Sequence, residues 1–236
     1  MGTISYESLL PDIIPMAPEA PDMLITKHIR SSVVELCEKT SVYQIELDPI
    51  SSVSGQHEYE FDAPAGTTIQ KILWVTHDGR DLEPISSALL EQRKPKWRTS
   101  ETGTTGVPEF YVKQSPSTFW VVPPPSGTVA DAIRVRAILR PTHTSNSCEA
   151  EIMNDYRDTI INGALFRVLR TPGYGFTDYA GGQVYASLYN SQLEDAERRA
   201  RFGDTPVVRK VGYGGLKSVR GTRKYSGRKL YRSNTM

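Results

Sequence analysis

The sequence predicts an α+β protein: a helical bundle of one N-terminal and two C-terminal helices, an antiparallel β domain inserted between them, and an extended C-terminal tail. Three observations carry this prediction. Apolar residues recur at helical spacing near the start of the chain and again after residue 146. Short β-branched and aromatic runs, each bounded by turn residues, fill the stretch between. The last thirty or so residues, from about residue 204, show no period of either kind. The implied divisions are 1–41, an N-terminal segment with the first bundle helix; 42–145, the inserted β domain; 146–203, two bundle helices; and 204–236, a basic arm.

The first helix is expected from Pro21 to Thr40. Ile25, Ile29, Val33 and Leu36 fall at three- and four-residue steps and share one face. Pro21 and Asp22 suit a helix start, where a missing N–H is harmless and a carboxylate meets the positive end of the dipole.

After Thr40 the runs "VYQIEL", "YEF", "IQKILWV", "EFYVK", "TFWVV" and "AIRVRAIL" read as strands. Asp78-Gly79 is a hairpin signal, because both residues tolerate the positive φ that a tight two-residue turn needs. Ser115-Pro116-Ser117 separates two aromatic strands, and Pro123-Pro124-Pro125 stops the second because proline cannot donate to a ladder. In "AIRVRAIL", Ile133, Val135, Ala137 and Leu139 face one way and Arg134, Arg136 and Arg140 the other, with Ile138 breaking the rule. That pattern belongs to a one-sided antiparallel sheet.

The next helix is expected to be capped by Asn146 or Ser147, with Ile152, Tyr156, Ile160, Ala164 and Val168 on its buried face and Pro172-Gly173 at its end. Thr177-Asp178 opens the last helix. Its expected inner face is Val184, Tyr185, Leu188 and Tyr189, and its expected ion pairs are Glu194–Arg198, Asp195–Arg199 and Glu197–Arg201. Gly203 closes it, and Gly181-Gly182 suggests a close helix–helix approach. The first helix cannot cover its own apolar stripe, so it is expected to pack with these two.

Charge is segregated along the chain. The first 197 residues hold 16 basic and 26 acidic side chains, a net −10, whereas residues 198–236 hold 12 basic and one acidic, a net +11. Such asymmetry marks an interaction tail. No apolar run approaches the ~18–20 residues of a membrane span, and no cationic-then-apolar leader opens the chain. Cys37 and Cys148 are the two cysteines, expected to be reduced and buried.

Chemistry-bearing motifs are lacking. His28, His57, His77 and His143 stand at no metal-ligand spacing, and no nucleophile elbow or phosphate-binding loop occurs. Nothing in the residues argues for a catalytic site, a cofactor or a metal. Trp97, in the polar stretch "RKPKWRTSETGTTG", is a candidate interface anchor. The tail carries Lys217, Arg220, Arg223, Lys224, Arg228, Lys229 and Arg232, with Tyr225 and Tyr231 among them. "RKYSG" and "RKLY" suit single-stranded nucleic acid through stacking and phosphate contacts, and suit a protein groove equally well. Scattered apolar residues such as Val207, Val211, Leu216 and Leu230 fit an arm that orders on binding better than a merely solubilising end.

The order of parts, and the phrases "APDMLITKHIRSSVVELCEKT", "LDPISSVSGQHEYEF", "WVTHDGRDLEPIS", "GVPEFYV" followed by "VVPPP", and "YRDTIINGALFRVL", resemble the head–tail adaptor (connector) proteins of tailed bacteriophages. The resemblance runs from about Pro18 to Leu169. It implies a non-enzymatic virion protein at the head–tail junction, made in the host cytoplasm and not membrane-bound. It further implies a homo-oligomeric ring, commonly of twelve copies, between the portal ring and the tail tube or nozzle, through which DNA passes without specific binding. On that reading the nine tail residues named above dock on the portal or on a neighbouring copy. Nucleic-acid binding by the tail is the alternative.

Overall fold

The computed structural model describes residues 2–94, 97 and 105–203. The chain begins with strand β1 (Thr3–Ser5), a 3₁₀ turn (Tyr6–Leu9), a single turn of helix α1 (Leu10–Ile13) and a second 3₁₀ turn (Ile14–Met16). Helix α2 (Asp22–Thr40) follows, then β2 (Gln44–Glu46), β3 (Ile50–Ser52), β4 (Glu58–Glu60), β5 (Thr67–His77), β6 (Arg80–Asp81) and β7 (Glu83–Pro84). Helix α3 (Ser87–Arg93) precedes β8 (Phe110–Lys113), β9 (Thr118–Val122) and β10 (Val129–Pro141). Strand β11 (Ser147–Glu149) then leads into α4 (Ala150–Asp155), α5 (Arg157–Leu169) and α6 (Tyr179–Phe202).

The protein is therefore mixed α+β, as the periodicities predict. Strand β10 is the spine of the largest sheet, flanked by β2 and β3 on one side and by β5, then β6, on the other. Val135 lies opposite Val75 and Leu139 opposite Ile69, and all four are buried. Two irregularities in the β5–β10 ladder set Leu73 and Gln70 out of register. They bring Ile69, Ile72 and Val75, spaced by three, to a common side that strict alternation would deny them. Asp78 and Gly79 both have positive φ (48° and 74°), and His77 pairs with Arg80, so the two-residue turn forms as its sequence predicts.

A second sheet runs β4–β9–β8–β7. Its β8–β9 hairpin turns at Ser115–Ser117, where the Ser115 hydroxyl accepts from the Ser117 and Thr118 amides. Phe119 stacks on Phe61 with ring centres 4.6 Å apart. One pairing, β7 with β8, is parallel, a departure from the wholly antiparallel expectation.

Helix α2 buries Ile25, Ile29, Val33 and Leu36, as its period predicts, and stops at Ser41, whose left-handed backbone (φ 57°) sends its N–H to the Cys37 carbonyl. The expected cap at Asn146 or Ser147 is corrected. Ser147 belongs to β11, paired with β1, and the Asn146 side chain accepts from Arg30 at 2.7 Å instead. The helix after it breaks at Tyr156 into α4 and α5. Cys37 and Cys148 are free and buried. The Cys148 thiol and burial together push the Cys37 thiol up. The described residues form one compact unit.

Candidate functional site

Three helices meet around Gly163. A Cβ there would lie 2.6 Å from the Tyr189 ring and 2.9 Å from the Ser32 hydroxyl, so α5, α6 and α2 can approach this closely only over a bare backbone. Tyr189 donates to the Ser32 carbonyl at 3.2 Å. The Arg167 guanidinium donates to the Ser32 hydroxyl (2.9 Å), pairs with Glu35, and lies over the rings of Phe166 and Tyr189 (4.3 and 5.3 Å). Burial alone would raise the Glu35 carboxyl, but Lys39 and Arg167 outweigh it and hold the carboxyl below its ordinary value.

This seam sets the rotation of α6 and corrects half of its predicted inner face: Tyr189 is buried and Tyr185 packs against the core, whereas Val184 and Leu188 do not. The buried residues are Gly182, Ala186, Tyr189, Leu193 and Ala196. Three small residues admit a close neighbour and two large ones fill the gap. Gly182 sits against the Phe166 carbonyl and the Arg170 side chain, the close approach that the glycine pair suggests. Val184 (60% exposed) and Leu188 (46%) point away, four residues apart on the outer face. Asp178 caps the helix by accepting from the Ala180 and Gly181 amides (3.1 and 3.0 Å). At its far end Glu197 pairs with Arg201 as expected, but Asp195 pairs with Arg198 rather than Arg199.

The N-terminal residues 3–16, for which no element was expected, are tied across the fold. The Tyr6 hydroxyl meets the Ser145 hydroxyl at 3.0 Å, Arg157 pairs with Asp12, and Tyr6, Leu9 and Ile13 are fully buried. Between this segment and β2 lies a cleft of about 390 Å³. Apolar residues Tyr43, Ile45, Leu47 and Pro64 line it together with four carboxylates, Glu46, Asp48, Asp62 and Glu149, and with no basic side chain among the described residues. Burial and the neighbouring Glu151 push the Glu149 carboxyl up.

Trp97 is half-buried. It stands edge-on to Trp120 with ring centres 5.1 Å apart, donates to Glu91 at 2.8 Å, and packs on the small core of Ile85, Leu90, Val112 and Val122. The predicted docking residues Lys217, Arg220, Arg223, Lys224, Tyr225, Arg228, Lys229, Tyr231 and Arg232 lie outside the described residues. Among the described residues no group of three or more His, Cys, Asp or Glu side chains could hold a metal ion, and no helix is long and apolar enough to cross a membrane. The cleft was not foreseeable from any local signal, because its walls come from four segments separated in sequence.

The SU10 adaptor protein family model matches residues 5–210, from the end of β1 past the end of α6. The match extends beyond both ends of the stretch that carries the resemblance in sequence. The protein is thus a phage head–tail adaptor, a structural virion protein of the neck. It belongs to the SU10 adaptor protein family. No curated protein matches the chain.

Proposed function

We propose that copies of this protein form a ring of twelve between the portal ring and the tail tube or nozzle protein. The ring surrounds the DNA channel without binding DNA specifically, and the protein catalyses nothing. The helices of 1–41 and 146–203 meet neighbouring copies and the portal, the β part at 42–145 faces the tail, and residues 204–236 are the docking arm. Trp97 serves as an anchor at an interface.

The observation that carries this reading is the charge split within an adaptor-family chain, −10 before residue 198 and +11 from it onward. A ring needs two different patches that fit each other on successive copies, and opposite charges on one chain supply them. An acidic body also suits a channel wall, since positive walls hold phosphate tightly and in a salt-dependent way.

The test is co-sedimentation of the full-length chain with purified portal rings. Binding is expected, and deletion of 204–236 is expected to reduce it at least tenfold. No co-sedimentation at any salt concentration would defeat the reading. Retention on DNA whose log affinity falls linearly with log salt would instead support a nucleic-acid-binding tail.

A further inference from the structure

The cleft beside β2 combines an apolar lining with four carboxylates, and Asp48, Asp62 and Glu149 have no ion pair among the described residues. Among the described residues Glu46 pairs with Arg134, at 3.5 Å on the exposed surface. Two other clefts carry their own cations, whereas a third, lined by residues 50–60, has the two carboxylates Glu58 and Glu60 beside His57. The one between the α4–α5 junction and α6 includes Arg157 and Arg199, and the one at the end of α2 includes Lys113 and Arg140. The cleft beside β2 is therefore suited to a chain that combines apolar and positive side chains.

The sequence contains such a segment. Residues 228–232 read "RKLYR", with Leu230 and Tyr231 between Arg228 and Lys229 on one side and Arg232 on the other. We propose that this cleft seats residues 228–232 of a neighbouring copy, with Leu230 and Tyr231 against the apolar lining and the three cations on the carboxylates. Arginine meets carboxylates through paired N–H groups, which gives the contact a fixed register as well as charge. Some 25 residues separate Gly203 from Arg228, up to about 80 Å of extended chain, which is ample to reach an adjacent subunit. Each copy then offers one arm and one cleft, the head-to-tail arrangement that closes rings.

This inference rests on the docking-arm reading above and assigns the arm to a neighbour rather than to the portal. The test places a photo-crosslinker, p-benzoyl-phenylalanine, at position 231 of the full-length chain. Isotopically heavy and light copies are mixed and assembled on portal rings. Heavy–light crosslinks from residue 231 to residues 43–48, 62–64 or 149 are expected. Asp48→Lys with Asp62→Lys should cut their yield at least tenfold, and adding Lys229→Glu with Arg232→Glu should restore it. Should those cleft variants fail to fold, the crosslink map of the unaltered cleft still decides the matter. Crosslinks to the portal alone overturn the cleft assignment and leave the docking-arm reading standing. Crosslinks confined to one copy overturn the neighbour assignment. Crosslinks to DNA, or to no protein, overturn both.

Discussion

The hydroxyl of Tyr189 in α6 donates to the backbone carbonyl of Ser32 in α2 at 3.2 Å, beside the bare backbone of Gly163 in α5. That contact joins helices 157 residues apart in sequence and decides which side of α6 is buried.

Gly163→Ala is therefore expected to destabilise the protein. Alanine gains about 1 kcal/mol in helix propensity over glycine. Its methyl group would meet a fully packed tyrosine ring at 2.6 Å, and such overpacking costs about 1–3 kcal/mol. Urea denaturation should show a net loss, and Gly163→Val a larger one. A stabilised Gly163→Ala protein would mean that the three helices are less tightly joined.

Substitutions on α6 should separate its two faces. Leu193→Ala removes a buried side chain and is expected to cost about 2–4 kcal/mol. Val184→Ser and Leu188→Ser lie on the exposed face and should change the stability of the isolated chain by less than about 0.5 kcal/mol. The melting temperatures of the three variants check both statements.

The Glu35–Arg167 pair is partly buried, so removing one partner should matter more than removing both. Arg167→Met leaves the Glu35 carboxylate facing Tyr189 with only Lys39 for compensation. The expected loss is about 1–3 kcal/mol, below the range for fully buried pairs because water still reaches both groups. Glu35→Gln in the Arg167→Met background should recover part of it, as a double-mutant cycle would measure.

Acid should weaken the fold through histidine. Burial lowers the pKa of His77, with Asp78 partly opposing, and burial with Arg167 and Lys27 lowers that of His28. A histidine with a depressed folded pKa costs nothing above its unfolded value of about 6.5, and stability is lost as pH falls below that value. The Nε2 atom of His77 is buried with no hydrogen-bond partner among the described residues, so its protonated form has no acceptor among them. Unfolding free energies measured from pH 7.5 down to 5 should fall, and His77→Phe should flatten the decline.

Elements with a strong period of their own could be read directly from the sequence. The stripe of Ile25, Ile29, Val33 and Leu36, the alternation of β10 and the Asp78-Gly79 turn all form as local rules predict. What was missed depends on distant partners. Asn146 and Ser147 look like helix caps, yet one accepts from Arg30 and the other joins β1. Val184 and Leu188 look like core residues, yet the core takes the small residues Gly182, Ala186 and Ala196, because a close seam favours small side chains over large ones. Tyr6, Leu9 and Ile13 do recur at helical spacing, with a proline at position 11 suited to a helix start, and that signal could have revealed the N-terminal turns. Nothing local announces the acidic cleft, which the fold assembles from four segments.

A reconstruction of the virion neck would show the ring and its arms directly. A closed ring of this protein is expected directly beneath the portal, with its C-terminal residues in contact with a neighbouring copy or the portal. A neck whose portal meets the tail through another protein, or C-terminal residues lying along the DNA, would contradict this expectation.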